Sequence, residues 1–277
     1  MSFIDTHNHC TWGIDDGIQS LEECKALFQM AKEDGIDTII ATPHFIPGRQ
    51  QWNEVSQMAN RMVETRDLAH TFGIDYYSGC ELFLNEDYLE MIENEWFYPL
   101  ANSNYVLCEF NVREKLQDST QVEDRLYELI IRGYTPIVAH VERYFHTKID
   151  LLRVQDWIDM GCKIQVNRTS LLGDHGRTIQ KNAYQLFKNA MVHIVASDAH
   201  RASGHRICQL SDAYQWIQKN VGQEAADVVL HANPEHILNI VAIVRIQARL
   251  LIDTLMQELT AFLSTLLPEL GTSVVSP

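Results

Sequence analysis

Short runs of β-branched and aliphatic residues recur along this chain, and nearly all of them end in His, Glu or Asp. Phe3-Ile4 leads to His7-Asn8-His9, and Ile36-Asp37-Thr38-Ile39-Ile40-Ala41 leads through Thr42-Pro43 to His44. Ile74 to Cys80 delivers Glu81, and Tyr105-Val106-Leu107-Cys108 delivers Glu109. Pro136-Ile137-Val138-Ala139 delivers His140, and Val192 to Ser197 delivers Asp198, with His200 shortly after. Runs of this composition and length favour extended backbone. Residues i and i+2 of a strand share a face, so His7 and His9 can meet one ion through neutral imidazole nitrogens. Cys162-Lys-Ile-Gln-Val-Asn167 alternates like a further strand and ends in Asn instead.

Between these runs the chain reads as helix. Ser20 is an N-cap with Glu23 at the third helical position, and Gly35 closes the segment. Asn53–Phe72 ends at Gly73, Val122–Arg132 at Gly133 and Leu151–Met160 at Gly161; Thr178–Asn189 and Ile207–Val221 follow. Strand and helix in alternation predict an α/β fold with a parallel sheet covered on both faces. The expected form is a distorted seven-stranded (β/α) TIM-like barrel, whose strand ends gather into one crater. A single barrel of about 250 residues accommodates residues 1–240. Residues 241–277 form a separate expectation, an amphipathic helical C-terminal extension. There Val241, Val244, Ala248, Leu251, Leu255, Phe262 and Leu266 recur near helical spacing after Ile237. A helix this apolar must be covered, by the barrel, by a second copy in a homo-oligomer or by another protein.

Composition narrows the function. A formal charge of −15 argues against a nucleic-acid partner, because phosphate backbones are held by clustered Lys and Arg. No run reaches the roughly 18–20 apolar residues of a membrane span, and Met1–Cys10 lacks the pattern of a secretory signal. The six cysteines, Cys10, Cys24, Cys80, Cys108, Cys162 and Cys208, form no paired framework. Together these features predict a cytoplasmic protein.

The candidate ligands in chain order are His7, His9, Asp16, His44, Glu81, Glu109, His140, Asp198 and His200. Imidazoles and carboxylates packed into a water-poor crater would be too costly without cations. So many ligands imply two or three divalent ions, and the mixed nitrogen and oxygen set suits Mn, Fe or Zn better than Mg or Ca. Such a centre can polarise a phosphoryl oxygen, make hydroxide from water near neutral pH and stabilise a leaving oxygen.

His7-Asn-His9, Asp15-Asp16-Gly17, Thr42-Pro43-His44, Glu81, Glu109-Phe110, His140-Val-Glu-Arg-Tyr144, Gln165-Val-Asn167 and Ser197-Asp-Ala-His200 resemble the polymerase-and-histidinol-phosphatase (PHP) superfamily. Within it the chain is most similar to manganese-dependent protein-tyrosine phosphatases encoded with bacterial capsule and exopolysaccharide systems. The resemblance covers about residues 1 to 240 and implies the PHP fold. It further implies a trinuclear centre: His7, His9, Glu81 and Asp198 at one ion; Glu81, Glu109 and His140 at a second; Asp16, His44 and His200 at a third. Glu81 would bridge. The implied substrate is a phosphotyrosine protein, the tail of a bacterial tyrosine kinase that controls polysaccharide export.

Arg143 matches a family position expected to clamp phosphate, and a guanidinium fork suits two phosphoryl oxygens. A second family Arg follows the Asp-x-His motif, where this chain reads His200-Arg-Ala-Ser-Gly-His205-Arg206, shifted by one residue. Arg206 is the preferred match, with Arg201 and His205 as alternatives. Cys162 and Arg168 satisfy the Cys-x5-Arg spacing of cysteine-dependent phosphatases. The intervening residues contain no Gly and alternate as a strand, so Cys162 is expected in the core. Two other functions compete: a small-molecule phosphatase, such as one for histidinol phosphate, and a non-catalytic regulatory binding module stabilised by metal.

Overall fold

The computed structural model describes residues 2–49, 52–114, 116 and 121–239. The expected helical extension at 241–277 lies outside the described residues. An amphipathic first helix shows how local sequence sets the layers. In α1 (Leu21–Asp34) the buried residues Cys24, Leu27, Phe28 and Ala31 fall on one stripe. The Ser20 hydroxyl accepts from the Glu23 amide at 3.2 Å, and Gly35 closes the C-terminus in the left-handed region.

The described strands are β1 (Phe3–Asn8), β2 (Ile36–Ala41), β3 (His44–Phe45), β4 (Asp75–Ser78), β5 (Glu81–Phe83), β6 (Tyr105–Glu109), β7 (Thr135–Val138), β8 (Lys163–Asn167) and β9 (Ile194–Ala196). They form two parallel sheets, ordered β1-β2-β4 and β3-β5-β6-β7-β8-β9. The principal helices after α1 are α2 (Trp52–Thr71), α3 (Tyr88–Glu93), α4 (Val122–Ile131), α5 (Leu151–Asp159), α6 (Arg168–Leu172), α7 (Arg177–Lys188), α8 (Ser211–Asn220) and α9 (Gln223–Asp227). The fold is therefore α/β on curled parallel sheets. Beyond β9 the chain returns to β1: the His9 amide donates to Ala199 O and the Asp198 amide to His7 O, both at 2.9 Å.

This differs from the expected seven strands. Nine strand segments are present among the described residues, because two expected strands are each broken. Thr42-Pro43 separates β2 from β3, where Pro43 has no N–H to donate to a ladder. Gly79-Cys80 separates β4 from β5, and a Cβ on Gly79 would come within 2.7 Å of the Leu100 side chain. The breaks change the sheet in which each segment pairs. His44 and Glu81 consequently begin short strands instead of following long ones, and they pair with each other across β3 and β5.

Helix α8 starts at Ser211, later than the expected Ile207, and the cause is tertiary. The Asp34 carboxylate accepts from the backbone amides of Leu210 and Ser211 at 2.6 and 2.9 Å. A partner remote in sequence thus satisfies the open amides of the helix start. The short helices α3, α6 and α9 show too few turns to produce a readable period.

Candidate metal centre

All nine expected ligand residues come together at the C-terminal side of the parallel strands. Glu81 lies at the middle. Its Oε2 stands 3.1 Å from His7 Nε2, 3.3 Å from His9 Nε2 and 3.1 Å from His44 Nδ1. Its Oε1 is 3.0 Å from His140 Nε2. Asp198 Oδ1 lies 3.5 Å from His7 Nε2, 3.6 Å from His9 Nε2 and 3.3 Å from His200 Nδ1. Glu109 approaches His44 Nδ1 at 2.9 Å and His140 Nε2 at 3.6 Å. Asp16, the exposed member, faces His44 Nε2 at 3.3 Å and His200 Nε2 at 3.4 Å.

Ligand atoms of three sets converge closely enough to share an ion: His7, His9 and Asp198; His9, Asp16, His44 and His200; and His44, Glu81 and Glu109. His140 belongs to none of these sets but touches both carboxylates of the last one.

Two of these side chains depend on unusual backbone. His140 follows β7 with φ 36° and Asp198 follows β9 with φ 52°, both in the left-handed region that non-glycine residues seldom adopt. The surrounding hydrogen bonds hold them there. Gln165 Oε1 accepts from the His140 amide at 3.0 Å, and the Asp198 amide is tied to β1.

Hydrogen bonds also settle the tautomers. Because the His140 amide can only donate, the atom of Gln165 that it meets must be the oxygen. His7 Nδ1, 3.2 Å from that oxygen, therefore carries a proton, which makes Nε2 the atom available to a cation beside Glu81. Asp15 Oδ2 does the same for His9, 2.7 Å from its Nδ1, and also accepts from the His44 amide at 2.9 Å. The carbonyl of Asp198 meets His200 Nδ1 at 3.0 Å.

These groups fit divalent cations. Glu81 Oε2 is buried and makes no hydrogen bond among the described residues, although three imidazole nitrogens face it. His7 Nε2 and His9 Nε2 lie 3.2 Å apart, and two bare nitrogens at that distance need a proton or a cation between them. The electrostatics agree. Burial disfavours a proton on His7, but Glu81 and Asp198 carry it up to about 9. Burial would raise Asp15, yet His9 against it holds it at about 2. Burial, reinforced by neighbouring Glu81, raises Glu109. Burial pushes His140 and His200 down to about 4, so both are neutral near pH 7.

Two expected cations stand on either side of Asp198. Arg143 Nη1 lies 3.5 Å from Oδ2, and Arg206 Nη2 lies 2.9 Å from Oδ1. Both line a cavity of about 910 Å³ that opens over the centre. The alternatives to Arg206 lie elsewhere. Arg201 donates to the carbonyls of Asp16 and Gly17, both at 2.7 Å, and His205 turns outward toward Asp174. Cys162 precedes β8 at the opposite end of the strand, and burial pushes its thiol up to about 12. Arg168 pairs with Asp212 instead.

Sequence reasoning gave no role to Asp15, Asp5 or the side chain of Asn167. Asp5 is buried and accepts from the Ser197 amide at 3.0 Å and from Asn8 Nδ2 at 2.8 Å, which joins β1 to the segment carrying Asp198. Asn167 donates to Asp198 Oδ2 at 2.6 Å. Asn167 stands at a strand end like the ligands, so its position was a signal. Asp5 sits two residues before His7 on the same strand face.

Comparison with known proteins finds related tyrosine phosphatases. Tyrosine-protein phosphatase CpsB of Streptococcus pneumoniae is 31% identical over 242 residues, covering 85% of this chain and 98% of that protein. The putative tyrosine-protein phosphatase CapC of Staphylococcus aureus is 31% identical over 71% of this chain and 76% of its own length. A crystal structure from work on YwqE of Bacillus subtilis and CpsB of S. pneumoniae, described as unique metal-dependent tyrosine phosphatases, matches with a TM-score of 0.72. It is 25% identical and covers 86% of this chain and 94% of its own. The phosphotriesterase homology protein of Escherichia coli shares the fold, with a TM-score of 0.57 at 14% identity. The family model for capsular polysaccharide synthesis, CpsB/CapC, matches residues 3–239, and the chain belongs to that family.

Proposed function

We propose that this protein is a metal-dependent protein-tyrosine phosphatase that acts on a bacterial tyrosine kinase regulating capsular or exopolysaccharide synthesis. The observation that carries this reading is the cluster of nine ligand residues with Glu81 at its middle, eight of them buried or half-buried and Asp16 exposed, beside two arginines. The relatives named tyrosine-protein phosphatase supply the substrate class.

Three ions, Mn by preference, would be held by His7, His9, Glu81 and Asp198; by Glu81, Glu109 and His140; and by Asp16, His44 and His200. When bound, such ions polarise a phosphoryl oxygen and make water a nucleophile near neutral pH. The side chains do the rest. Arg143 and Arg206, fixed against opposite oxygens of Asp198, turn their remaining N–H groups to a phosphoryl group and offset its charge. Asp15 and Gln165 hold the imidazoles of His9 and His7 in the tautomer that presents Nε2.

The two broken strands, β2 with β3 and β4 with β5, each read as one stave of a seven-staved distorted barrel, with residues 241–277 as a separate extension. Six free cysteines, all buried, suit a reducing cytoplasm. No helix among the described residues is long and apolar enough to cross a membrane.

The test is turnover after complete chelation and reloading with Mn, using a phosphotyrosine peptide and histidinol phosphate side by side. Metal-dependent release of phosphate from the peptide, well above that from histidinol phosphate, is the expected result. Equal turnover by the metal-free protein would reject the reading. Preference for histidinol phosphate would make the chain a small-molecule phosphatase.

A further inference from the structure

The cavity over the centre extends well past the arginines that flank Asp198. Arg49 follows β3, Arg113 follows β6 and Arg125 lies on α4, and all three line the same cavity. They occupy a different arc from Arg143 and Arg206, which follow β7 and β9. A protein of formal charge −15 thus places five arginines around one opening.

The outer arc is a built surface. Leu84, Leu116 and Val122 are buried and line it as an apolar floor. Arg125 is fixed in place: Nη1 donates to Leu84 O at 2.5 Å, and its guanidinium lies 5.8 Å from the Tyr88 ring. Arg49 and Arg113 are exposed, and their side chains make no hydrogen bond or ion pair among the described residues. Glu86 and Glu114 line the same region, and Glu114 accepts from Asn111 Nδ2 at 2.7 Å. Among the described residues the outer arc thus combines Arg49, Arg113 and the engaged Arg125 with Glu86 and Glu114, while Asp15, Asp16, Glu81, Glu109 and Asp198 line the cavity at the metal centre.

The volume has a consequence for the substrate. At about 910 Å³ the cavity lies near the top of the roughly 300–1,000 Å³ usual for small-ligand sites. A phosphate held between Arg143 and Arg206 would leave the outer arc for whatever is attached to it. An apolar floor under unengaged guanidinium groups favours a peptide segment that carries carboxylates.

From this arrangement we infer that Arg49 and Arg113, with Arg125 behind them, form a subsite for acidic residues flanking the phosphotyrosine. The inference rests on the phosphatase reading for the identity of the central group. The selectivity itself comes from the outer arginines. Because the contacts are exposed, each gives a modest gain that salt weakens.

Binding of non-hydrolysable phosphonomethyl-phenylalanine peptides, followed by fluorescence anisotropy in the Mn-loaded protein, tests the subsite without turnover. One peptide carries Asp and Glu at the flanking positions, and the other carries Asn and Gln. The acidic peptide should bind about three- to tenfold more tightly at low salt, and the ratio should shrink at high salt. The double variant Arg49→Ala/Arg113→Ala should bring the ratio close to one, and Arg113→Glu should favour the neutral peptide. Circular dichroism confirms that these loop variants are folded. Equal binding of the two peptides by the parent protein, or an unchanged ratio in the double variant, overturns the subsite. Turnover of the corresponding phosphotyrosine peptides is measured separately. If the acidic preference is present without any turnover, the subsite stands and the catalytic reading falls.

Discussion

Glu81 is the residue on which the centre depends, since its two oxygens meet four imidazoles. Glu81→Ala or His140→Ala should lower kcat by at least about 10³, because charge stabilisation and nucleophile would fail together. Steady-state turnover with metal content measured in parallel checks this. Asp15→Asn should weaken metal binding about 10- to 100-fold, the usual cost of removing the carboxylate that orients a ligating imidazole. Chelator competition against Mn reads that effect directly. Arg143→Ala should keep its metal and lose about 10- to 10³-fold in kcat/KM, as when a charge-assisted phosphate contact is removed. Cys162→Ser should stay within a few-fold of the parent rate, because a buried thiol pushed up to about 12 supplies no thiolate. Loss of activity in a folded, metal-loaded Cys162→Ser protein would mean that the nucleophile is misassigned.

Among the elements, the loop after β1 has the least freedom. A Cβ on Gly17 would lie 2.4 Å from His9 Cβ and 2.5 Å from His9 O, closer than real side chains approach. Gly17→Ala must therefore displace either His9 or the turn holding Asp15 and Asp16. Reduced Mn uptake in a protein that retains its circular dichroism spectrum is the expected outcome. Full uptake would show that the loop can move without disturbing the ligands. The same strand ends explain the cost of the centre. His140 and Asp198 are kept in left-handed backbone by Gln165 and by β1, so the sheet supplies what the local chain would not adopt alone.

For the molecule as a whole, metal is linked to both protons and stability. In the metal-free protein His7 is carried from 6.5 to about 9, so binding an ion at its Nε2 must expel a proton. Titrating Mn into weakly buffered protein near pH 7.5 should acidify the solution, and an unchanged pH would contradict the assignment. The sign for stability follows from the same shift. A raised folded-state value means that His7 stabilises the metal-free fold fully below about 6.5, and the contribution is lost as pH rises toward 9. Ions that bind only the folded state add about 2.7 kcal/mol each at a hundredfold excess over Kd. For a chain of this size that corresponds to roughly 5–10 °C in Tm per ion, which thermal melts with and without chelator would show.

The α/β class, the helices whose apolar stripes span several turns and the chemistry-bearing residues at the strand ends were all legible in the amino-acid order alone. Periodicity and side-chain chemistry are local properties, and Ser20, Gly35 and the buried stripe of α1 carry them plainly. The breaks at Thr42-Pro43 and Gly79-Cys80 were decided elsewhere, by the pairing of β3 with β5 and by the closeness of Leu100 to Gly79. So was the start of α8, which Asp34 caps from far away in the chain. The sequence preferred Arg206 over Arg201 and His205 by spacing alone; that its guanidinium, of the three side chains, lies against the Asp198 carboxylate is a fact of the tertiary structure. Supporting contacts such as Asp15 with His9 and Asn167 with Asp198 were invisible for the same reason. A hydrogen bond between side chains is a property of positions in space, and a residue's identity states only that it is capable of one.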